Sequence, residues 1–230
     1  MDKLINHFAG KGAHNRHFKK DVEGGKLRKP SAPFEVPLLT STNYPVTILE
    51  TIMGDSEPLF VVDRRSKWSW LEKVISAKEQ CARFKADGHK FFIYLDSDDG
   101  FMWQAPTLSM CEKICEGRDV VFQRSRGFPW YRWFKGKMPS ILGHDGPCAG
   151  AYIARTEHFE EYCEIIIRLD KVQATLTRAK GQFDDQAAWK TMVAVCNDKL
   201  AVDAEYYNNR ESYGRYLTRD ITRKHYDEIL

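Results

Sequence analysis

One uninterrupted apolar run is the clearest pattern in the chain. Residues 91–95 are all apolar and lead directly into Asp96-Ser97-Asp98-Asp99-Gly100. A short, fully apolar run is typical of a strand that is buried on both faces, as in a parallel sheet. Asp and Gly interrupt strands, so the carboxylates are predicted to follow the carboxyl end of this strand. In open α/β sheets, ligands bind at that edge.

The residues before this run predict a strand–helix–strand arrangement. Strands are predicted over 36–42 and 59–62, with a short helix over 45–53 between them. Apolar residues then recur at helical spacing from Trp70 to Phe84. Ser66 or Ser69 is placed to begin this helix, and Asp87-Gly88 is placed to end it. The run at 91–95 then completes a βαβ unit.

The second half of the chain continues the alternation of helices and strands. A helix is predicted over 107–115, and strands are predicted over 120–122, 149–154 and 200–202. Two more helices are predicted, one capped by Thr156 and one that begins at Asp184-Asp185. This alternation predicts an α/β fold, a single Rossmann-like domain whose mostly parallel central sheet is flanked by helices.

Local composition predicts three parts. Residues 1–33 are rich in basic residues and glycine, which predicts a basic amino-terminal arm made mostly of loops. Residues 34–205 carry the regular pattern and are predicted to form the folded domain. Residues 206–230 are polar, aromatic and basic, which predicts a carboxyl-terminal tail.

Bulk composition narrows the class of protein. Hydrophobic residues make up 43% and charged residues 29%, which suffices for a full core and argues against disorder. The net charge of +3 is only mildly basic and does not demand nucleic acid as a partner. No apolar stretch approaches the ~20 residues of a membrane span. The start has no apolar signal-peptide core, and the six cysteines include no Cys-x-x-Cys pair. These features predict a cytoplasmic protein, in the host cytoplasm if viral, without a membrane span.

The acidic segment after the apolar run suggests a metal site. Asp96 and Asp98 are at i and i+2 of an extended segment, so their side chains share one face. Carboxylate oxygens suit hard cations such as Mn²⁺ and Mg²⁺, and such a cation suits a diphosphate. Close carboxylates repel each other unless a cation or a proton compensates. The alternative interpretation is an ordinary polar turn, because Asp, Ser and Gly are common turn residues.

Several segments in order resemble a known family. The segment 96–98 resembles the Asp-x-Asp motif of glycosyltransferases with the type A (GT-A) fold. The segment 146–153 resembles the small-residue strand that follows the variable loop in those enzymes. The segment 183–189 is similar to the Asp-Asp-Gln helix start of the lysyl hydroxylase and procollagen-type glycosyltransferase domains, and 200–203 to the strand and aspartate that follow. Order and spacing agree over roughly residues 34 to 210.

The resemblance implies a metal-dependent glycosyltransferase that uses a nucleoside diphosphate sugar, with a UDP-sugar as the expected donor. It implies that Asp96 with Asp98, or with Asp99 in an Asp-x-x-Asp variant, holds Mn²⁺ or Mg²⁺. It implies Asp184 and Asp185 as catalytic residues that face the sugar or the acceptor. The implied donor-binding residues are Thr40, Thr42, Asp63, Asp96, Gly150 and Gln186. In the resembled family, a later histidine is usually the third metal ligand. The residues around His225 do not match those around that histidine. Asp203 or a water molecule is the alternative third ligand.

A loop over residues 123–137 interleaves cations with aromatic residues. Aromatic faces stack on sugars or bases, and Arg or Lys side chains contact phosphates. The predicted acceptor is therefore a hydroxyl on a saccharide or on a hydroxymethylated base in DNA, as some phages modify it. The alternative is a lid over the donor. The candidate acceptor-binding residues are Arg124, Arg126, Trp130, Tyr131, Arg132 and Trp133.

Two other functions stay open from the sequence alone. A phosphatase of the haloacid dehalogenase type also carries Asp-x-Asp after a strand, with the first aspartate, here Asp96, as nucleophile. The second is a non-catalytic module that binds nucleic acid. Its affinity for nucleic acid would fall with salt but would not change with Mn²⁺ or in Asp96→Ala.

Overall fold

A computed structural model describes residues 5–7, 29–45, 47–54, 57–97, 100–102, 104–124, 147–176, 185–203 and 218–220. The strands are β1 (Ile5–His7), β2 (Leu38–Thr42), β3 (Phe60–Arg64), β4 (Phe91–Leu95), β5 (Gly100–Met102), β6 (Val120–Arg124), β7 (Pro147–Arg155), β8 (Leu200–Asp203) and β9 (Thr218–Asp220). The helices are α1 (Ile48–Met53), α2 (Trp70–Ala86), α3 (Leu108–Cys115), α4 (Phe159–Leu176) and α5 (Asp185–Val195).

Six of these strands form one mixed sheet in the order β3-β2-β4-β7-β6-β8. β2 pairs in parallel with β3 and β4, and β6 pairs in parallel with β8. β7 is antiparallel to both of its neighbours, β4 and β6. The predicted α/β class with a mostly parallel, helix-flanked sheet is therefore confirmed. One antiparallel strand separates its two parallel halves.

The sheet is buried on both faces, as the apolar run in β4 predicts. Successive residues of a strand point to opposite faces, so β4 contributes to two cores. Phe91, Ile93 and Leu95 pack on the side of α1 and α3. Phe92 and Tyr94 pack on the side of α2, α4 and α5. An aromatic cluster fills this second core, including the stacked rings of Tyr94 and Tyr152 with centroids 5.0 Å apart.

Local side-chain hydrogen bonds set where the helices begin. α1 starts three residues later than predicted, because the Thr47 hydroxyl and the Glu50 side chain form a reciprocal capping box. Of the two serines predicted to cap α2, Ser69 is the one that accepts from the backbone N–H of Glu72. The predicted cap at Thr156 is wrong. Its hydroxyl donates to the carbonyl of His89 at 2.7 Å, and α4 begins at Phe159.

A second, small sheet has the order β5-β1-β9. β1 comes from the predicted amino-terminal arm and β9 from the predicted tail. β1 pairs antiparallel with β5 and parallel with β9. This sheet therefore joins β1 and β9 to β5, the strand that directly follows the acidic segment.

Among the residues that the structure describes, no helix combines the length and the apolar character that crossing a membrane requires.

Candidate active site

Asp96 lies at the carboxyl edge of the central sheet, directly after β4. Its backbone N–H donates to the carbonyl of Gly150 in β7 at 2.7 Å, so the antiparallel neighbour fixes its position. Because residues two apart in a strand point to the same face, Asp96 lies on the same side of the sheet as Tyr94. This side faces α2 and α5. The Asp96 side chain is 33% exposed, so a carboxylate at the end of a buried strand still reaches solvent.

Gly150 leaves the space that the Asp96 carboxylate occupies. A Cβ atom at position 150 would lie 2.6 Å from Oδ2 of Asp96 and 3.2 Å from its Cγ. The φ angle of Gly150 is not positive, so space and not backbone conformation accounts for the glycine. The structure shows that this glycine permits the close approach of Asp96 to β7, and its predicted contact with a donor stays a prediction.

Asp185 comes to Asp96 through a third residue, Lys73. Lys73 lies in the first turn of α2, and Asp185 is the first residue of α5. The ammonium Nζ of Lys73 is 2.8 Å from Oδ1 of Asp96 and 3.4 Å from Oδ2 of Asp185. Two carboxylates that are 89 positions apart in sequence are thus joined by one cation.

The Lys73 side chain is only 4% exposed, and its ammonium also lies over two aromatic rings. The distances from Nζ to the ring centroids are 5.1 Å for Tyr94 and 5.7 Å for Trp70, within the range of cation–π attraction. Burial lowers the pKa of Lys73, but the carboxylates of Asp96 and Asp185 raise it by more. The net pKa lies well above the ordinary lysine value, so the ammonium stays protonated.

Asp63, at the carboxyl end of β3, is held by a polar network. Its Oδ2 accepts from Nε of Arg65 at 2.8 Å and from the hydroxyl of Ser76 in α2. The Ser76 hydroxyl is also 2.6 Å from that of Ser41 in β2. The described contacts of Asp63 therefore brace β2, β3 and α2, and its contact with a donor stays a prediction.

The two threonines predicted to contact the donor differ in their surroundings. Both are buried in β2: Thr42 is the last residue of the strand, whereas Thr40 is its middle residue and lies on the same face as Leu38. The Thr42 hydroxyl accepts from the backbone N–H of Tyr44 at 3.0 Å and stabilises the turn after β2. The Thr40 hydroxyl has no hydrogen-bond partner among the described residues. A buried polar atom without a partner calls for an explanation, and a ligand oxygen or nitrogen would supply one.

The structure places four of the predicted site residues at one edge of the sheet: Thr42, Asp63, Asp96 and Gly150. Thr40 lies two residues inside β2, on the face opposite Asp96. Asp185 meets Asp96 through Lys73, and Gln186 follows Asp185 in the first turn of α5. Arg124 is the last residue of β6, at that strand's carboxyl end. The other predicted residues lie outside the described residues: Asp98, Asp99, Asp184, Arg126, Trp130, Tyr131, Arg132 and Trp133.

The described residues offer only part of what a hard divalent cation needs, because the Lys73 ammonium lies between the two carboxylates. Asp96 and Asp185 offer carboxylate oxygens, the ligand type that Mn²⁺ and Mg²⁺ prefer. Within the described residues, no group of three or more His, Cys, Asp or Glu side chains could hold a metal ion. A complete ligand set would therefore need Asp98 or Asp99, which lie outside them.

Sequence reasoning missed Lys73. Lysine is almost never fully buried unless it is paired, so the helical pattern places it on the solvent side by default. The signal that could have found it is positional: Lys73, Ser76 and Gln80 are polar but lie among the apolar positions of α2, and all three are buried. Three polar residues on the inner side of a helix indicate a polar partner on the sheet.

No protein-family model matches the chain, and none of the curated proteins compared with it matches either.

Proposed function

We propose that the chain is a metal-dependent glycosyltransferase that moves a sugar from a nucleoside diphosphate sugar, with a UDP-sugar as the expected donor, to a hydroxyl acceptor. The observation that carries this proposal is the meeting of Asp96, Asp185 and Lys73 beside Gly150 at the carboxyl edge of the sheet. Ligands of open α/β sheets bind at this edge. The ordered set of motifs that resembles GT-A enzymes supports the same function.

Asp96, with Asp98 or Asp99, would hold Mn²⁺ or Mg²⁺. The ion supplies Lewis-acid stabilisation of the charge that develops on the leaving diphosphate. Asp185, with Asp184, would face the transferred sugar or the acceptor hydroxyl. The buried hydroxyl of Thr40 and the backbone at Gly150 would bind and orient the donor.

The acceptor is proposed to be a saccharide or a hydroxymethylated base in DNA, contacted by the cationic and aromatic residues of the segment 123–137. The cytoplasmic location predicted above is part of the same proposal. An acceptor base in duplex DNA would have to be flipped out or reached through a groove.

A donor screen tests the reaction. The full chain is incubated with Mn²⁺ and a panel of nucleotide sugars, and release of nucleoside diphosphate is measured. We expect turnover with one nucleotide class. We expect a loss of roughly 100-fold or more in Asp96→Asn and in either Asp98→Asn or Asp99→Asn, whichever residue is the second ligand, because the metal ligand is neutralised without a change in size. Asp87→Asn is the matched control, because Asp87 is exposed and ends α2 at its far end.

Two results would reject the proposal. Undiminished turnover of Asp96→Asn in the presence of EDTA would reject the metal role. A phosphoryl group trapped on Asp96 after incubation with a phosphate ester would instead support the phosphatase.

To test the acceptor class, the rate of sugar transfer to a hydroxymethylated oligonucleotide is compared with the rate of transfer to a simple glycoside. Transfer to the oligonucleotide that falls steeply with salt would support a DNA acceptor. Transfer to the glycoside alone would assign the saccharide.

A further inference from the structure

Lys73 neutralises part of the negative charge of Asp96 and Asp185. Its ammonium contacts Asp96 at 2.8 Å and Asp185 at 3.4 Å, and the side chains of Lys73 and Asp185 are 4% and 7% exposed. These three residues carry two negative charges and one positive charge. The affinity of a carboxylate site for a divalent cation depends on its ligand charge count, so Lys73 lowers that affinity.

The position of the ammonium also conflicts with a metal ion bound by the same oxygens. Mn²⁺ or Mg²⁺ would lie about 2.0–2.2 Å from its ligand oxygens. A dication held by Oδ1 of Asp96 or Oδ2 of Asp185 would therefore lie close to Nζ of Lys73, whose side chain is almost completely buried. Repulsion between like charges at such a distance is strong when solvent does not screen it.

The surroundings of Lys73 keep it in this position. Nζ lies over the rings of Tyr94 and Trp70, and Tyr94 belongs to the same buried strand that ends at Asp96. The first turn of α2 is fixed by the Ser69 cap, and the backbone N–H of Lys73 donates to the carbonyl of Ser69 at 3.2 Å. Packing on two elements therefore holds the cation between two carboxylates that would otherwise repel each other.

We propose that Lys73 is a resident counter-ion that keeps divalent metal ions out of the donor-free site, so that the metal enters together with the donor diphosphate. The diphosphate brings its own negative charge and oxygen ligands, which offset the repulsion from the ammonium. Lys73 is thus a positioning residue for Asp96 and Asp185 and the source of a binding order. This inference builds on the metal role in the proposed function.

Metal binding without turnover tests the proposal. Binding of Mn²⁺ to the donor-free full chain is measured by electron paramagnetic resonance of the free ion. We expect weak binding by the unmodified chain and binding at least about tenfold tighter by Lys73→Ala, because a unit charge at contact distance is removed. Lys73→Arg retains the charge and should bind as weakly as the unmodified chain. Lys78→Ala removes a more exposed lysine of the same helix, paired with Glu164, and should change nothing.

A second measurement covers the risk that Lys73→Ala folds poorly. Thermal unfolding of Lys73→Met, which preserves side-chain length, is recorded with and without Mn²⁺. Mn²⁺ should raise its midpoint by several degrees more than that of the unmodified chain, because the ion replaces the lost cation. UDP should tighten binding of Mn²⁺ to the unmodified chain at least about tenfold.

The inference is overturned if neither Lys73→Ala nor Lys73→Met binds Mn²⁺ more tightly than the unmodified chain. If that occurs while the unmodified chain transfers a sugar, the counter-ion role alone fails. If the variants gain Mn²⁺ affinity but no nucleotide sugar is turned over, the counter-ion role stands and the glycosyltransferase proposal fails.

Discussion

At the residue scale, the close approach of Asp96 to β7 is the feature most sensitive to change. The Asp96 carboxylate occupies the volume that any side chain at position 150 would need. Its backbone is held to the same residue by the hydrogen bond to the Gly150 carbonyl. A single methyl group at position 150 would therefore displace the carboxylate and leave the strand pairing in place.

Gly150→Ala should lower turnover by roughly 100-fold, since a displacement of about 1 Å at a reacting site can cost that much. The midpoint of thermal unfolding should shift by only a few degrees, because the backbone angles of Gly150 suit alanine. Turnover and thermal unfolding are measured on the same sample. Ala154→Gly, a one-methyl change near the other end of β7, is the control and should retain turnover. Full activity of Gly150→Ala would show that Asp96 is not needed in this position.

At the element scale, α2 connects the fold to the site. Its apolar residues, including Val74, Ala77 and Cys81, pack on the sheet, while Lys73 and Ser76 contact the polar edge. The helix begins one residue after Ser69, whose hydroxyl accepts from the N–H of Glu72 at 3.1 Å. The cap therefore sets where the first turn, and with it Lys73, lies along the sheet.

Ser69→Ala should lower the free energy of unfolding by about 1 kcal/mol, the usual loss when a helix cap is removed. Ser69→Asp should retain most of the stability, because Asp caps helices equally well. Ser66→Ala is the control, because Ser66 is exposed and Ser69, not Ser66, caps α2. It should change the free energy of unfolding by no more than about 0.5 kcal/mol. Urea unfolding curves of the three variants provide the measurement. Equal losses in Ser69→Ala and Ser66→Ala would contradict the assignment of the cap.

At the scale of the whole molecule, two cores cover the faces of one sheet, and both contain cysteines that are free thiols. Burial raises the pKa of Cys81 to about 12, with a smaller contribution from the negative charge of Glu160. Burial likewise raises the pKa of Cys115 to about 12. An unfolded thiol has a pKa of about 8.5. Above that pH the unfolded chain loses protons that the folded chain retains, so stability falls as pH rises.

The free energy of unfolding should therefore decrease between pH 8 and pH 10. Each buried thiol contributes up to ~1.4 kcal/mol per pH unit above its unfolded pKa. Urea unfolding at a series of pH values measures the slope. A variant with Cys81→Ala and Cys115→Ala should be less stable at pH 7.5 but should show a shallower decline. An unchanged slope would mean that other groups carry the alkaline transition.

Local patterns were sufficient for most elements. The apolar run of β4, the helical spacing of α2 and the Thr107 to Cys115 helix were predicted within a few residues, because they depend on period and on turn-forming neighbours. The position of Asp96 at a sheet edge followed from the same reasoning. The start of α1 and the capping of α4 were misplaced, because the side chains involved had a choice of backbone partners that the sequence does not rank.

The amino-acid pattern specified an α/β sheet with acids at the end of a buried strand, because alternation and apolar runs are local properties. The direction of β7, the pairing of β1 with β5 and β9, and the meeting of Asp96 with Asp185 depend on contacts between residues distant in sequence. Lys73 shows this most clearly. From the sequence, a lysine in a helix is predicted to be exposed to solvent. Only the packing of α2 and α5 against β4 buries Lys73 between two carboxylates.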